Sequence, residues 1–207
     1  MTKIKLCGLT RPQDIQAANE LLPDYIGFVF APKSRRYITP KQAAELRELL
    51  DPDITTVGVF TNEAPELVAA LLDCGIIDIA QLHGSEDETY IAALRELTGS
   101  PLIQAFRIDT EQDIAAAENS TADYVLLDSG NGGTGTVFDW SLIRRLKRPY
   151  FLAGGLTADN VGGAVASLHP YAVDVSSGIE TGGVKDEDKM TRFVHAVRGV
   201  SGKEDQI

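Results

Sequence analysis

The chain alternates eight times between a short apolar, β-rich run and a longer amphipathic stretch, at roughly 25 residues per unit over its 207 residues. The apolar runs predict strands near residues 3–7, 25–30, 55–61, 77–82, 101–107, 124–128, 149–153 and 172–176. The stretches between them predict helices near 11–22, 40–50, 63–74, 86–97, 111–119, 140–147, 158–168 and 186–198. This alternation favours an α/β protein with a single-domain (β/α)8 TIM barrel, and an open doubly wound sheet is the competing topology. Residues 1–200 are expected to form the barrel and residues 201–207 a flexible tail.

Residues that begin helices stand where the alternation needs them. Thr10, Thr39 and Thr157 each come just before a predicted helix, and prolines follow the first two closely. A threonine hydroxyl can accept a hydrogen bond from the free amides of a first helical turn, and proline is tolerated there.

The charge balance narrows the possible partners. There are 19 Lys and Arg residues against 30 Asp and Glu residues, a formal net charge of −11. Such a surface disfavours nucleic acid and anionic membranes, so an anionic ligand must be held by local groups. The two cysteines are far apart and predict no metal site, and no signal or membrane segment is visible. We therefore expect a reduced, cytoplasmic protein.

Two glycine-rich turns follow the last two predicted strands. Gly154 and Gly155 end the seventh strand, and Ser177 and Gly178 follow the eighth. In barrels of this class, turns in these two places often hold a phosphate group, because free amides and a helix dipole face the anion. The alternative is that the glycines only make tight turns. Two adjacent turns in the expected places favour a phosphate site.

Ten short motifs in fixed order resemble the phosphoribosylanthranilate isomerase family of tryptophan biosynthesis, along essentially the whole chain. They are Lys5-Leu6-Cys7-Gly8-Leu9-Thr10, Gly27-Phe28-Val29-Phe30, Ser34-Arg35-Arg36-Tyr37, Val57-Gly58-Val59-Phe60, Gln81-Leu82-His83-Gly84, Leu127-Asp128, Gly132-Gly133-Thr134-Gly135, Phe138-Asp139-Trp140, Gly154-Gly155-Leu156 and Asp174-Val175-Ser176-Ser177-Gly178. Any one of them would be a weak signal, but their order and spacing together are specific.

The resemblance implies an Amadori rearrangement of N-(5′-phosphoribosyl)anthranilate to 1-(2-carboxyphenylamino)-1-deoxy-D-ribulose 5-phosphate, without metal or other cofactor. It implies that Cys7 is the general base, that Asp128 is the general acid and that Arg36 binds the anthranilate carboxylate. His83 is expected to line the substrate pocket, although a histidine that only packs is an equally good interpretation. A phosphorylated small molecule is the expected partner, and the protein is expected to be a monomer or a homodimer.

Both catalytic assignments require that the surroundings shift the pKa of the reacting group. A free cysteine has a pKa of about 8.5, so Cys7 needs nearby positive charge to become a thiolate. Asp128 needs burial or a neighbouring anion to keep its proton. Otherwise Cys7 could be a small buried hydrophobe and Asp128 a turn-capping residue. The family often has lysine where this chain has Gln104 and Thr136, which suggests altered electrostatics near the site. The loop of residues 129–136 is a candidate lid.

Three other functions compete with this interpretation. The related histidine-pathway sugar isomerases, and dual-substrate enzymes that serve both pathways, have aspartate at the position of Cys7, and the half-barrel repeat usual in them is not visible here. A Schiff-base aldolase is disfavoured because no predicted strand ends in lysine, Lys3 and Lys5 falling earlier in the first strand. A non-catalytic phosphate-binding protein would not need both Cys7 and Asp128.

Overall fold

The computed structural model describes residues 1–128, 143 and 146–201. Eight parallel strands close into a barrel in sequence order. They are β1 (Lys3–Cys7), β2 (Tyr25–Val29), β3 (Thr55–Phe60), β4 (Ile79–Leu82), β5 (Leu102–Arg107), β6 (Tyr124–Asp128), β7 (Tyr150–Ala153) and β8 (Ala172–Val175). The closed barrel confirms the predicted fold and rules out the open sheet.

In the described part of the chain, a helix follows each of seven strands on the outside of the barrel. They are α1 (Pro12–Leu21), α2 (Pro40–Arg47), α3 (Pro65–Asp73), α4 (Glu88–Arg95), α5 (Glu111–Asn119), α6 (Ala158–Leu168) and α7 (Glu187–Ser201). The strands begin and end within two residues of their predicted limits. Most of the predicted helix near 140–147, the candidate lid 129–136, Thr136 itself and tail residues 202–207 lie outside the described residues. A short hairpin that the sequence did not predict, β9 (Glu180–Thr181) and β10 (Val184–Lys185), stands between β8 and α7.

The helix starts follow the predicted signals with one correction. Thr39 precedes α2, where its hydroxyl accepts from the backbone N–H of Gln42 at 3.2 Å. Thr157 likewise stands just before α6. The prediction for Thr10 was wrong, because α1 is preceded by Arg11 and the free amides of Thr10 and Arg11 donate to the carboxylate of Asp14 at 2.9 and 3.0 Å. A carboxylate in the first turn thus satisfies the amides just before the helix, and no threonine hydroxyl is needed there.

Strand side chains alternate between two apolar layers, as the period of a strand requires. In β1, Ile4 and Leu6 point outward into the main core, which the helices share. Lys5 points into the barrel, where it contacts Gln81 of β4. The barrel interior holds a second apolar cluster, which consists of Tyr25, Val57, Ile79, Ile103, Leu126, Phe151, Ala153 and Ala172. Of the helices described, none combines the length and apolar character needed to cross a bilayer.

Candidate active site

A cavity of about 330 Å³ opens at the carboxyl ends of the strands. All eight predicted site residues line it, namely Cys7, Arg36, His83, Asp128, Gly154, Gly155, Ser177 and Gly178. The cavity also has polar lining residues that sequence reasoning did not assign to a site, among them Ser34, Thr61, Gln81 and Ser176. Because parallel strands bring their carboxyl ends to one face, side chains from distant parts of the chain meet here.

Cys7 is the last residue of β1, and its thiol is packed tightly against the neighbouring strand. Gly27 of β2 pairs with Cys7 in the barrel. A Cβ atom at Gly27 would lie only 2.7 Å from the Cys7 Sγ, closer than real Cβ atoms come to a neighbour. The missing side chain at Gly27 therefore makes the room in which the thiol sits. Ser176 adds a hydrogen bond of 3.1 Å from its hydroxyl to the carbonyl oxygen of Cys7.

Two nearby lysines affect the pKa of the Cys7 thiol. Burial raises the pKa of Cys7 above its usual value, although the charges of Lys5 and Lys185 counteract it, and Asp174 adds to the rise. Burial also disfavours the charged form of Lys5, but Asp174 and Cys7 outweigh it and raise the Lys5 pKa. Without substrate, Cys7 is therefore held mainly as the thiol, beside cations that stabilise the thiolate when the proton leaves.

Lys185 comes from the unpredicted hairpin and reaches back to the end of β8. Its Nζ donates to the carbonyl oxygen of Ser176 at 2.9 Å and to Glu180 Oε1 at 2.8 Å. The side chain of Gln104, where the family often has lysine, points away from the cavity. The Gln104 amide donates to the carbonyl oxygen of Glu86 and accepts from the hydroxyl of Ser120, and it is not among the cavity residues.

Arg36 enters the cavity already paired with a carboxylate of the chain. Its Nε donates to Glu180 Oε1 at 2.6 Å and its Nη2 to Glu180 Oε2 at 3.0 Å. Arg35 is 60% exposed and also donates to Glu180 Oε2, at 2.7 Å. The side of the Arg36 guanidinium that carries Nε is thus occupied, which leaves the end formed by Nη1 and Nη2 for a second carboxylate.

Asp128 ends β6 on another side of the cavity and faces His83. The His83 Nε2 lies 3.6 Å from Asp128 Oδ2, and the two side chains are 37% and 29% exposed. Their position lets both groups reach a molecule bound in the cavity. The polar contacts of His83 and its exposure favour a pocket residue over a histidine that only packs.

The two glycine-rich turns lie against each other beside the start of α6. Gly154 and Gly155 have φ angles of +89° and +63°, which L side chains rarely adopt. A Cβ atom at Gly178 would lie 1.9 Å from the carbonyl oxygen of Leu156, so glycine is needed for the turns to approach. The first amides of any helix lack the carbonyl partner one turn earlier that later amides have. This geometry suits an anion.

The residues missed by the sequence reasoning fall into two groups. Lys5 and Asp174 are partners across β1 and β8. Lys5 lies two residues before Cys7, and the period of a strand places both on the inner face, so this signal was available. Asp174 accepts a hydrogen bond from Lys5 at 2.8 Å and also lines the cavity. No strand period or turn motif in the sequence marked Glu180 and Lys185 as residues of the site.

The closed barrel and the position of its cavity define a (β/α)8-barrel enzyme. A family model described as N-(5′-phosphoribosyl)anthranilate (PRA) isomerase matches residues 4–196. An N-(5′-phosphoribosyl)anthranilate isomerase of Endomicrobium trichonymphae is 44% identical over 204 residues, covering 97% of this chain and 100% of the relative. A solved phosphoribosylanthranilate isomerase in complex with reduced 1-(o-carboxyphenylamino)-1-deoxyribulose 5-phosphate is 37% identical with a TM-score of 0.86, covering 96% of this chain and 100% of that one.

A third similar structure is of monomers generated from the dimeric phosphoribosylanthranilate isomerase of Thermotoga maritima. It is 36% identical, with a TM-score of 0.84, and covers 96% of this chain and 100% of its own. The chain belongs to the phosphoribosylanthranilate isomerase family. The predicted family and its isomerase step in tryptophan biosynthesis are thereby confirmed, in preference to the histidine-pathway isomerases and the aldolases.

Proposed function

We propose that the residues of this cavity carry out the Amadori rearrangement of N-(5′-phosphoribosyl)anthranilate, with Asp128 as general acid and Cys7 as general base. The observation that carries the proposal is that a thiol and a carboxyl from β1 and β6 line one cavity together with two glycine-rich turns and an arginine. Each is a group that the reaction needs.

Asp128 and Cys7 carry out two proton transfers, and a tautomerisation completes the reaction. Asp128 delivers a proton to the ring oxygen of the ribose, the bond from C1 to that oxygen breaks, and the nitrogen lone pair forms an iminium at C1. The Cys7 thiolate then removes the proton from C2, and the electrons of that bond give an enamine that tautomerises to the ketone. The substrate nitrogen accepts the electron density, so the proposed steps use only these acid and base groups. Each proton transfer contributes about 10²–10⁴-fold to the rate.

The remaining groups hold the substrate between acid and base. The turns at Gly154–Gly155 and Ser177–Gly178 take the phosphate, with the first amides of α6 behind them. Arg36 takes the anthranilate carboxylate through Nη1 and Nη2, since Glu180 occupies its other side. His83 contacts the substrate near Asp128. We further propose that the protein acts in the cytoplasm, as a monomer or as a homodimer like the dimeric relative.

Turnover of freshly prepared N-(5′-phosphoribosyl)anthranilate, followed by its loss of fluorescence, tests the proposal. We expect activity in the wild type and a loss of at least about two orders of magnitude in both Cys7→Ala and Asp128→Asn. Cys74→Ala is the matched control, because Cys74 is an exposed free cysteine outside the cavity. A folded wild type that binds the reduced product analogue but turns nothing over would overturn the proposal and indicate a binding protein.

A further inference from the structure

A chain of hydrogen bonds crosses the barrel interior from β1 to β4. Lys5 is fully buried, and its Nζ donates to Asp174 Oδ1 at 2.8 Å and to Gln81 Oε1 at 2.9 Å. The Gln81 amide continues the chain, because its Nε2 lies 2.8 Å from Nδ1 of His83. His83 in turn lies beside Asp128 in the cavity.

This chain fixes the position of the proton on His83. An ammonium group only donates, so Lys5 must face the amide oxygen of Gln81. The NH₂ group of Gln81 then faces His83, and because NH₂ only donates, Nδ1 of His83 must accept. A neutral imidazole whose Nδ1 accepts carries its proton on Nε2. The Nε2 atom is the one that faces Asp128 Oδ2, at 3.6 Å.

We infer that Lys5 and Gln81 are positioning residues that hold His83 as the Nε2–H tautomer, so that His83 presents a hydrogen-bond donor to Asp128. The inference deepens the proposed function and rests on it for its use in the reaction. When Asp128 has given its proton to the ring oxygen, a carboxylate forms next to this N–H. A short movement of either side chain then makes a charge-assisted hydrogen bond, which stabilises the carboxylate.

The same ammonium group serves both reacting groups. Lys5 acts directly on the Cys7 thiol and, through Gln81 and His83, on the acid. Without the Lys5 ammonium as a hydrogen-bond donor, the Gln81 side chain could turn its amide oxygen away from β1. Either nitrogen of His83 could then carry the proton, and the donor would face Asp128 in only part of the molecules.

Nitrogen-15 NMR of labelled histidine in the ligand-free protein tests the inference directly. Wild-type His83 is expected to show a protonated Nε2 and an unprotonated Nδ1, and loss of the signal in His83→Asn assigns it. Gln81→Glu keeps the shape of the side chain but has no donor, so we expect a proton to move onto Nδ1. A wild-type His83 with its proton on Nδ1, or a Gln81→Glu variant with unchanged His83 nitrogen signals, would overturn the inference.

Kinetics separate this role from a structural one. We expect kcat of Gln81→Glu and of the neutral Gln81→Met to fall about tenfold, with KM changed less than about twofold, since the lost hydrogen bond forms to a charge made during the reaction. Gln13→Glu, on the exposed face of α1, is the charge-matched control and should leave both the NMR signals and kcat unchanged. Equal kcat in all three variants would contradict the inference. A wild type that does not turn over N-(5′-phosphoribosyl)anthranilate would instead overturn the proposed function, whatever tautomer the NMR signals of His83 show.

Discussion

Replacing Glu180 by Gln tests how the cations around the cavity are held. One carboxylate accepts from Arg35, Arg36 and Lys185, and these contacts outweigh the effect of burial and lower the pKa of Glu180 from 4.5 to about 2. This lowering of the pKa means that the ionised form of Glu180, relative to its protonated form, is about 3 kcal/mol more favourable in the folded protein than in the unfolded chain. Arg35 is 60% exposed, so water screens part of the interaction, and we expect a loss of about 2 kcal/mol at pH 7 in Glu180→Gln.

The pH dependence has a definite sign. Because the folded pKa of Glu180 lies below its ordinary value of 4.5, its contribution is complete above that value and is lost as the pH falls toward about 2. Protonated glutamic acid and glutamine are both neutral and similar in shape. The difference in unfolding free energy between wild type and variant should therefore shrink steadily between about pH 5 and pH 2.

Urea unfolding followed by circular dichroism at several pH values measures this difference. Glu96→Gln is the matched control, since Glu96 is exposed at the end of α4, and it should change stability by less than about 0.5 kcal/mol. The reasoning is refuted by a Glu180→Gln variant as stable as the wild type at pH 7, or by a difference that stays constant down to about pH 3. A second readout is KM, which should rise because Arg36 loses the partner that orients it.

Three further predictions concern Cys7, its neighbour Gly27 and a helix. Raising the pH from about 7 to about 10 in the ligand-free protein should increase the ultraviolet absorbance of the Cys7 thiolate, taken as wild type minus Cys7→Ala, with a midpoint above the ordinary range of a free cysteine, because burial raises the pKa of Cys7. In Lys185→Met this rise should move to higher pH, since Lys185 lowers the Cys7 pKa; a flat profile in both proteins would contradict the thiolate mechanism. Gly27→Ala should reduce kcat at least about tenfold in a protein with unchanged circular dichroism, because the new Cβ would lie 2.7 Å from Cys7 Sγ, and full activity would contradict this. Gly163→Ala in α6 meets no atom within 4 Å and should raise the unfolding free energy by about 0.5–1 kcal/mol, measured by thermal unfolding; an unchanged or lower stability would show that the helix does not tolerate it.

The barrel and its two glycine-rich turns could be predicted from local signals, whereas the family resemblance supplied the roles of Cys7, Asp128, Arg36 and His83. Strand and helix periods differ, caps and prolines mark the helix starts, and parallel strands bring their ends to one face. The positions of Cys7 and Asp128 at the ends of β1 and β6 follow from this alone. The motifs that carried the family resemblance supplied the substrate, which the strand periods could not.

The charges around the site could not be predicted in the same way. Arg36 and Glu180 are 144 residues apart, and the two-residue strands that carry Glu180 and Lys185 are too short to show any period. The surroundings of Gln104 were equally hidden. The lysine that the family often has at this position suggested altered electrostatics near the site, but the partners of Gln104 lie on Glu86 and Ser120. Which side of a strand a single polar residue faces depends on the partners that the fold brings to it.

The polar chain inside the barrel is best understood as a cost that the site imposes on the fold. Branched apolar side chains normally fill the inner layers of such barrels. Here Lys5, Gln81 and Asp174 replace them, and removing one member of a buried charge pair costs more than replacing the whole set by apolar residues. Stability therefore does not explain why an ammonium is buried beneath the cavity. The position of Lys5 explains the burial, because the ammonium lies between Cys7 and the Gln81 amide that orients His83. From there one fixed charge acts on both the base and the acid.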